Sequence, residues 1–313
     1  MDLRQIEYFV RVAELGSFTR AAAVLHIAQP ALSRQVRSLE VELHQPLFDR
    51  NGRGVTLTEA GKRLLAHGRG ILAQVERATQ DLEEQRGAAS GVLSIGLPPS
   101  VSRTITAPLV EAFRERFPKA RLALVDGFST YSLEWLLQGR VDCAVVYNAT
   151  PAPAIELRPV LEEKLFLVSA RGARKNRLGR SATLKEVAAC DLIIPSRPHA
   201  IRMQLESALA AAGAKPRIGL EIESVPAILD LVQRHPWHAV LPLNAVRGSE
   251  HQSQLVARPI VATAGGPPLV TTLWIATSAL RPRGALLEQS IELLAQLLKT
   301  RLSAASAARY PHR

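Results

Sequence analysis

Between residues 17 and 43 two short runs of helical periodicity stand three residues apart, and few folds accommodate that pattern. Phe18, Ala21, Ala22 and Leu25 recur as i, i+3, i+4 and i+7, after Ser17, a helix N-cap residue type. The small residues 21–23 allow a second helix to approach closely. After His26-Ile27-Ala28, Pro30 suits the first turn of a further helix, where its missing N–H costs nothing. Leu32, Val36, Leu39 and Leu43 then form one apolar stripe, with Pro30, Ser33, Arg34 and Arg37 on the opposite side. An earlier stripe, Leu3, Ile6, Phe9, Val10 and Ala13, ends at Gly16 and supplies a supporting helix. The pattern predicts a helix-turn-helix over 18–37, whose second helix presents its polar face to the major groove of double-stranded DNA. Arg can bridge guanine O6 and N7, and Gln can bridge adenine N6 and N7.

Leu47–Arg50 and Val55–Thr58 flank Asn51-Gly52-Arg53-Gly54, a glycine-bearing turn between β-prone runs. A hairpin there is a wing carrying Arg50 and Arg53 toward phosphate or the minor groove; phosphate contacts would fix register while the helix reads sequence. Net charge is +11, yet residues 1–90 carry 12 Lys+Arg against 11 Asp+Glu. DNA binding is therefore argued from pattern, not bulk charge. The basic excess lies beyond residue 90 and includes Arg171, Arg174, Lys175, Arg177 and Arg180. Aromatic residues make up 4%, too few for the stacking platforms of a single-strand binder.

The stretch Ser17-Phe18-Thr19-Arg20-Ala21-Ala22, Gln29-Pro30-Ala31-Leu32-Ser33-Arg34-Gln35-Val36, Leu39-Glu40, Leu47-Phe48-Asp49-Arg50 and Leu57-Thr58-Glu59-Ala60-Gly61 resembles the signature of LysR-type transcriptional regulators. The resemblance runs ungapped almost from Met1 to Gly61. Ala28 departs from it, since the family usually has Ser or Thr there, which costs one side-chain cap. Carried over by position, the resemblance implies that Gln29, Pro30, Ser33, Arg34, Arg50 and Arg53 contact promoter DNA, and the polar face of the helix adds Arg37.

Thr58 can cap a long helix with Glu59 in its first turn. Leu57, Gly61, Leu64, Gly68, Ile71, Val75, Ala78 and Leu82 alternate at spacings of 4 and 3, a heptad seam that calls for a partner helix. The expected partner is a second copy, with the glycines bringing two backbones close. The family resemblance implies antiparallel pairing into a homodimer and onward to a homotetramer. Gly87-Ala88-Ala89-Ser90-Gly91 reads as a hinge.

Beyond it, strands and helices alternate: 92–97, 102–117, 121–126, 131–137 and 141–147, then a second set from 165 to 243, a last strand at 269–276 and a last helix at 285–302. That order predicts parallel sheets with helices on their faces. It resembles the periplasmic-binding-protein-like effector domain of the same family. The expected fold class is thus mixed α+β and α/β. A winged helix-turn-helix domain spans 1–58, a linker helix 59–86 and a hinge 87–91. The effector domain at 92–302 comprises subdomain I (92–161 and 269–302) and subdomain II (162–268), and 303–313 is a disordered tail.

Ligands of open α/β sheets sit at the carboxyl ends of strands. Those ends, with the family resemblance, nominate Ser100, Ser102, Ser129, Tyr147, Ser196, Arg197, His199, Arg202 and Ser224 for a small anionic or polar effector. Helix N-termini and the cations Arg197, His199 and Arg202 would supply the attraction. His235-Pro236-Trp237-His238 replaces a glycine-rich turn common in the family. The phrase Gly96-Leu97-Pro98-Pro99-Ser100 is similar to that of the nitrogen-assimilation-control branch. A constitutive regulator that needs no effector is the alternative reading.

Catalysis is not expected. Gly127-Phe128-Ser129-Thr130-Tyr131 lacks the last glycine of a nucleophile elbow, and Gly52-Arg53-Gly54 precedes a strand-like run rather than a helix. No His-Glu-x-x-His or paired-cysteine motif occurs, so neither metal nor cofactor is expected. Cys143 and Cys190 read as buried thiols in a reducing compartment. With no apolar signal core and no long apolar run, a cytoplasmic protein without membrane contact is expected.

Overall fold

The computed structural model describes residues 1–51, 54–84, 91–172 and 179–307. The chain divides into two compact units, one built mainly from residues 1–88 and the other from 89 onward.

The first unit contains α1 (Leu3–Leu15), α2 (Phe18–Val24), α3 (Gln29–Glu42), the hairpin β1 (Phe48–Asn51) and β2 (Gly54–Leu57), and α4 (Glu59–Glu84). Local chemistry sets the boundaries. Asp2 and Gln5 form a reciprocal capping box on α1, and Gly16 closes it in the left-handed conformation. Ser17 caps α2, and the Thr58 hydroxyl accepts from the Gly61 amide at 3.0 Å to open α4. Ala28 offers α3 no side-chain cap, as its departure from the family pattern implies. Phe9, Phe18, Leu32, Val36, Leu39 and Phe48 are buried together, with the Phe48 ring 5.2 Å from Phe9 and 5.7 Å from Phe18. The Glu40 carboxylate accepts from the Leu47 and Phe48 amides at 2.8 and 3.2 Å, tying the wing to α3.

The heptad seam divides between two roles, which corrects the expectation that a second copy covers all of it. Gly61 and Gly68 are buried within the unit itself. A Cβ on Gly61 would overlap the Leu47 carbonyl oxygen, and one on Gly68 would press on Val10 and Ile6. Leu64 and Ile71 pack on the same core. Val75 and Leu82, farther along the stripe, are 42% and 66% exposed. The proposed hinge at 87–91 lies outside the described residues except for Gly91, which starts a strand. The basic positions Arg174, Lys175 and Arg177 also lie outside them.

The second unit comprises β3 (Gly91–Leu97), α5 (Pro99–Arg116), β4 (Ala120–Asp126), α6 (Ser129–Leu137), β5 (Cys143–Tyr147), β6 (Ile155–Ala170) and β7 (Ala182–Thr183). There follow α7 (Leu184–Ala188), β8 (Asp191–Ile194), α8 (Ala200–Ala211), β9 (Arg217–Glu221), α9 (Val225–Arg234), β10 (Ala239–Pro242), α10 (Leu243–Val246), β11 (Leu255–Val261), β12 (Val270–Ser278) and α11 (Ala285–Ala307). In the first half β3 runs parallel to β4 and β5, and β12 returns antiparallel to β5. β5 is buried throughout, because its alternate residues face two cores. Cys143, Val145 and Tyr147 join α5 and α11, while Ala144 and Val146 join Leu136 and Ala276.

The eight-stranded sheet is mixed rather than parallel, and among the described residues only the separate pair β8–β9 is parallel throughout. β6 is a single 16-residue strand that pairs antiparallel with β12 through Lys164 and then with β10 and β11 from Leu165 onward. It is thus the crossing between the two halves. Its charged residues and Pro159 obscure it in the sequence, and Pro259 similarly obscures β11. Trp237, in the turn that replaces glycine, packs on Gly219 of β9, where no Cβ would fit. His238 exchanges backbone hydrogen bonds with Asp191 and Ile193, joining β10 to β8.

The tail expectation also changes. Residues 303–307 continue α11, because Ser303-Ala304-Ala305-Ser306-Ala307 contains no breaker and extending an existing helix is cheap. Residues 308–313 lie outside the description. Cys143 is buried, with its thiol pushed up by desolvation, whereas Cys190 is only half-buried. No helix among the described residues is long and apolar enough to cross a membrane.

Candidate functional site

Two sets of residues converge, one in each unit. In the first, the buried stripe Leu32, Val36 and Leu39 orients α3. Gln29, Pro30, Arg34 and Arg37 are exposed on its other side and Ser33 is half-buried there. Pro30 in the first turn has no N–H and the Ala31 and Leu32 amides donate to the Ala28 carbonyl, so the exposed side chains supply most of the donors at the start of α3. Arg50 lies in β1, its backbone opposite Val55. Arg53 falls outside the described residues.

In the second unit, α5, α6, α8 and α9 all begin at one cleft. Ser100, Ser129, Ala200 and Val225 from their first turns line an inner chamber of about 30 Å³, closed by Tyr147 and the end of β10. An adjoining outer cavity of about 350 Å³ shares Ser129, Tyr147, His199 and Ala200 and adds Asn148, Met203 and Gln204. Its volume lies within the range of small-molecule sites. Bonds span the cleft: Thr130 donates to the Pro198 carbonyl at 3.3 Å, and Asn148 donates to Gln204 at 2.8 Å.

Of the nominated residues, Ser100, Ser129, Tyr147 and His199 come together here. The Ser129 hydroxyl accepts from the Tyr147 amide at 2.9 Å, and the Ser100 hydroxyl lies 3.4 Å from the Tyr147 hydroxyl. The other five line neither cavity. Ser102 pairs with Thr106 at 3.1 Å along α5, and Ser224 caps α9 through the Ala227 amide. Ser196 is half-buried at the end of β8. Arg197 pairs with Glu206 at 2.7 Å. Arg202 is buried, bonded to Glu206 and Glu221 at 2.9 Å each and to the Pro195 carbonyl.

The expected positive charge is therefore absent from the lining. Burial pulls Glu206 up, but Arg202 and Arg197 outweigh it and hold its carboxyl below the ordinary range. Burial, with Arg202 nearby, pushes His199 down to about 4, so it is neutral at pH 7. What the cleft offers an anion is the N-terminal ends of four helices and serine hydroxyls.

Two residues escaped the sequence reading. The Tyr147 hydroxyl donates to Glu163 at 2.9 Å, and the Asn244 amide donates to both Tyr147 and Glu163 at 3.2 and 3.3 Å. Glu163 is 2% exposed, and desolvation raises its carboxyl to about 7. Strand periodicity held the signal, since Glu163 falls in phase with the buried Leu165 and Leu167.

Comparison with known proteins decides what this architecture is. Residues 3–62 match the bacterial regulatory helix-turn-helix protein, lysR family, and residues 86–299 match the LysR substrate binding domain. The chain belongs to the LysR family. It is 38% identical to the nitrogen assimilation regulatory protein nac of Escherichia coli strain K12 over 79% of this chain and 80% of that one. Among solved structures, the LysR family regulator CbnR superposes with a TM-score of 0.71 at 25% identity, covering 95% of this chain and 99% of CbnR. CbnR complexed with its target DNA gives the same TM-score at 24% identity, covering 95% and 100%. This LysR protein is therefore a DNA-binding transcriptional regulator with a substrate-binding domain, and not an enzyme.

Proposed function

We propose that the chain reads operator DNA as a homodimer in the cytoplasm, and that a small anionic or polar effector in the cleft modulates its action on a promoter. The exposed face of α3 carries the first part, because Gln29, Ser33, Arg34 and Arg37 stand opposite a fully buried stripe. The exposed second half of the α4 seam supports dimerisation, and pairing of dimers would give a tetramer. CbnR has been solved on its target DNA, and a two-fold dimer suits a two-half-site operator.

Arg34→Ala is expected to lose about 1–3 kcal/mol of specific binding while leaving random-duplex affinity nearly unchanged. Gel-shift titrations on operator and random duplexes at fixed salt measure both. Undiminished discrimination would remove Arg34 from the reading set and turn attention to Gln29 and Arg37.

The effector reading rests on the four helix starts at the cleft and on an outer cavity of small-molecule size. A second reading, constitutive action, draws on the bonds that close the cleft and the small inner chamber. A thermal-shift screen of small carboxylates and uncharged polar metabolites against the full chain separates them. A ligand specific to the folded cleft should raise the melting point by several degrees at saturation, and the gain should fall in Ser129→Ala. A screen with no hit, together with full promoter activity in the absence of additions, would favour constitutive action.

A further inference from the structure

We propose that Glu163, Tyr147 and Asn244 form a proton-dependent latch across the junction of the two halves, closed when Glu163 carries a proton and loosened when it is ionised. The latch requires no effector and stands apart from the reading above. Its members come from three places: Tyr147 ends β5 in the first half, Glu163 lies in the crossing strand β6, and Asn244 lies on α10 in the second half. All three are buried and mutually bonded.

Two neighbouring unpartnered groups bear on the protonation state, one of them a pure acceptor. Asn244 Oδ1 and Thr271 Oγ1 are buried and have no hydrogen-bond partner among the described residues. Thr271 sits directly opposite Glu163 on β12, so the two side chains share a face. An ionised carboxylate can only accept, so it can take the Thr271 O–H but leaves Asn244 Oδ1 without a donor. A protonated carboxyl adds one O–H that Asn244 Oδ1 can accept. Charge argues the same way. The groups facing Glu163 are Tyr147 from β5, Asn244 from α10 and Thr271 from β12, and none is a cation. Burial raises its carboxyl, the Tyr147 hydrogen bond lowers it by less, and no Lys, Arg or His contributes. Its sequence neighbours Glu162 and Lys164 are exposed on the other side of the strand. Tyr147 keeps its proton throughout, because burial and Glu163 raise its hydroxyl well above the ordinary value.

The sign follows from linkage. The closed latch holds the Glu163 carboxyl at about 7 rather than the ordinary 4.5, so closure is favoured at low pH and lost as pH rises through about 7. Hydrogen exchange of the full chain at pH 5 and pH 8, corrected for intrinsic rates, reads the opening. Peptides containing Tyr147, Glu163 and Asn244 should open roughly 70-fold more readily at pH 8 in the wild type. In Glu163→Gln, whose amide supplies the same donor without ionising, they should stay protected at both values. Equal pH dependence in the two proteins would overturn the latch. Should Glu163→Gln fail to fold, infrared titration of the wild type and Tyr147→Phe decides. A protonated-carboxyl band titrating near pH 7, with its midpoint raised in Tyr147→Phe, supports the latch; absence of that band, or an unmoved midpoint, defeats it.

Discussion

A chain carrying Val75→Asp and Leu82→Asp is expected to sediment as a folded monomer and to lose binding to a full palindromic operator. These two positions continue the heptad stripe of α4 past the point where its own unit covers it. If each side chain is buried against a second copy, a symmetric interface buries four of them. At about 1.5–3 kcal/mol each, their loss is worth on the order of 6 kcal/mol or more, roughly 10⁴-fold in the dimer dissociation constant. Introducing carboxylates adds a desolvation penalty in the same direction. Position matters here. Leu64→Asp or Ile71→Asp would also disrupt a seam read from sequence alone, but both residues pack on the winged-helix core, and a monomer obtained that way could be an unfolded one. Sedimentation velocity beside circular dichroism keeps the two apart. An intact dimer in the double variant would place the interface elsewhere.

Arg202→Ala is expected to destabilise the C-terminal body by about 3 kcal/mol or more, with or without any ligand. The side chain is 7% exposed and serves two carboxylates and a backbone carbonyl. Removing it leaves Glu206, itself mostly buried, with only the exposed Arg197 as a cation. Breaking a buried pair in this way costs about 3–5 kcal/mol, and the exposed Glu221 adds little. Arg202→Lys should recover only part of the loss, because an ammonium cannot fork between Glu206 and Glu221 as a guanidinium does. The loss should also depend on pH. Glu206 titrates below the ordinary carboxylate range in the fold, so the pair stabilises fully above that range and its contribution fades on acidification through the lowered value. Urea unfolding at pH 7 and at pH 3–4 tests both statements. A wild-type-like midpoint at pH 7 would restore Arg202 as a candidate ligand contact.

The helix-turn-helix, the capped start of α4 and most of the strand and helix order were legible because each is written in neighbouring residues. A stripe at 3 and 4 spacing fixes which side of a helix is buried, Ser17 and Thr58 fix where helices begin, and the polar face of α3 follows by subtraction. The cleft was legible only in part. Ser100, Ser129, Tyr147 and His199 were found because strand ends and helix starts are local features that an α/β order brings together. The roles of Arg197 and Arg202 were not, since an arginine seen in sequence carries a charge but not the identity of its partner. Glu206 stands four residues from Arg202 on the same helix face, yet Glu221 comes from another strand. Glu163 was missed for a similar reason, because it reads as one more charge in an acidic run until Tyr147 and Asn244 close over it.

The sequence by itself determined the class of protein, the polar face of α3 and the apolar stripe along α4. Tertiary structure alone decided which part of that stripe its own unit buries, how β6 runs unbroken through both halves, and that Arg197 and Arg202 are spent in ion pairs. The physical reason is range. Periodicity and capping act within a few residues and survive in the linear chain. Burial, desolvation and ion pairing depend on groups that folding brings together from more than a hundred residues apart, as Tyr147 and Asn244 show.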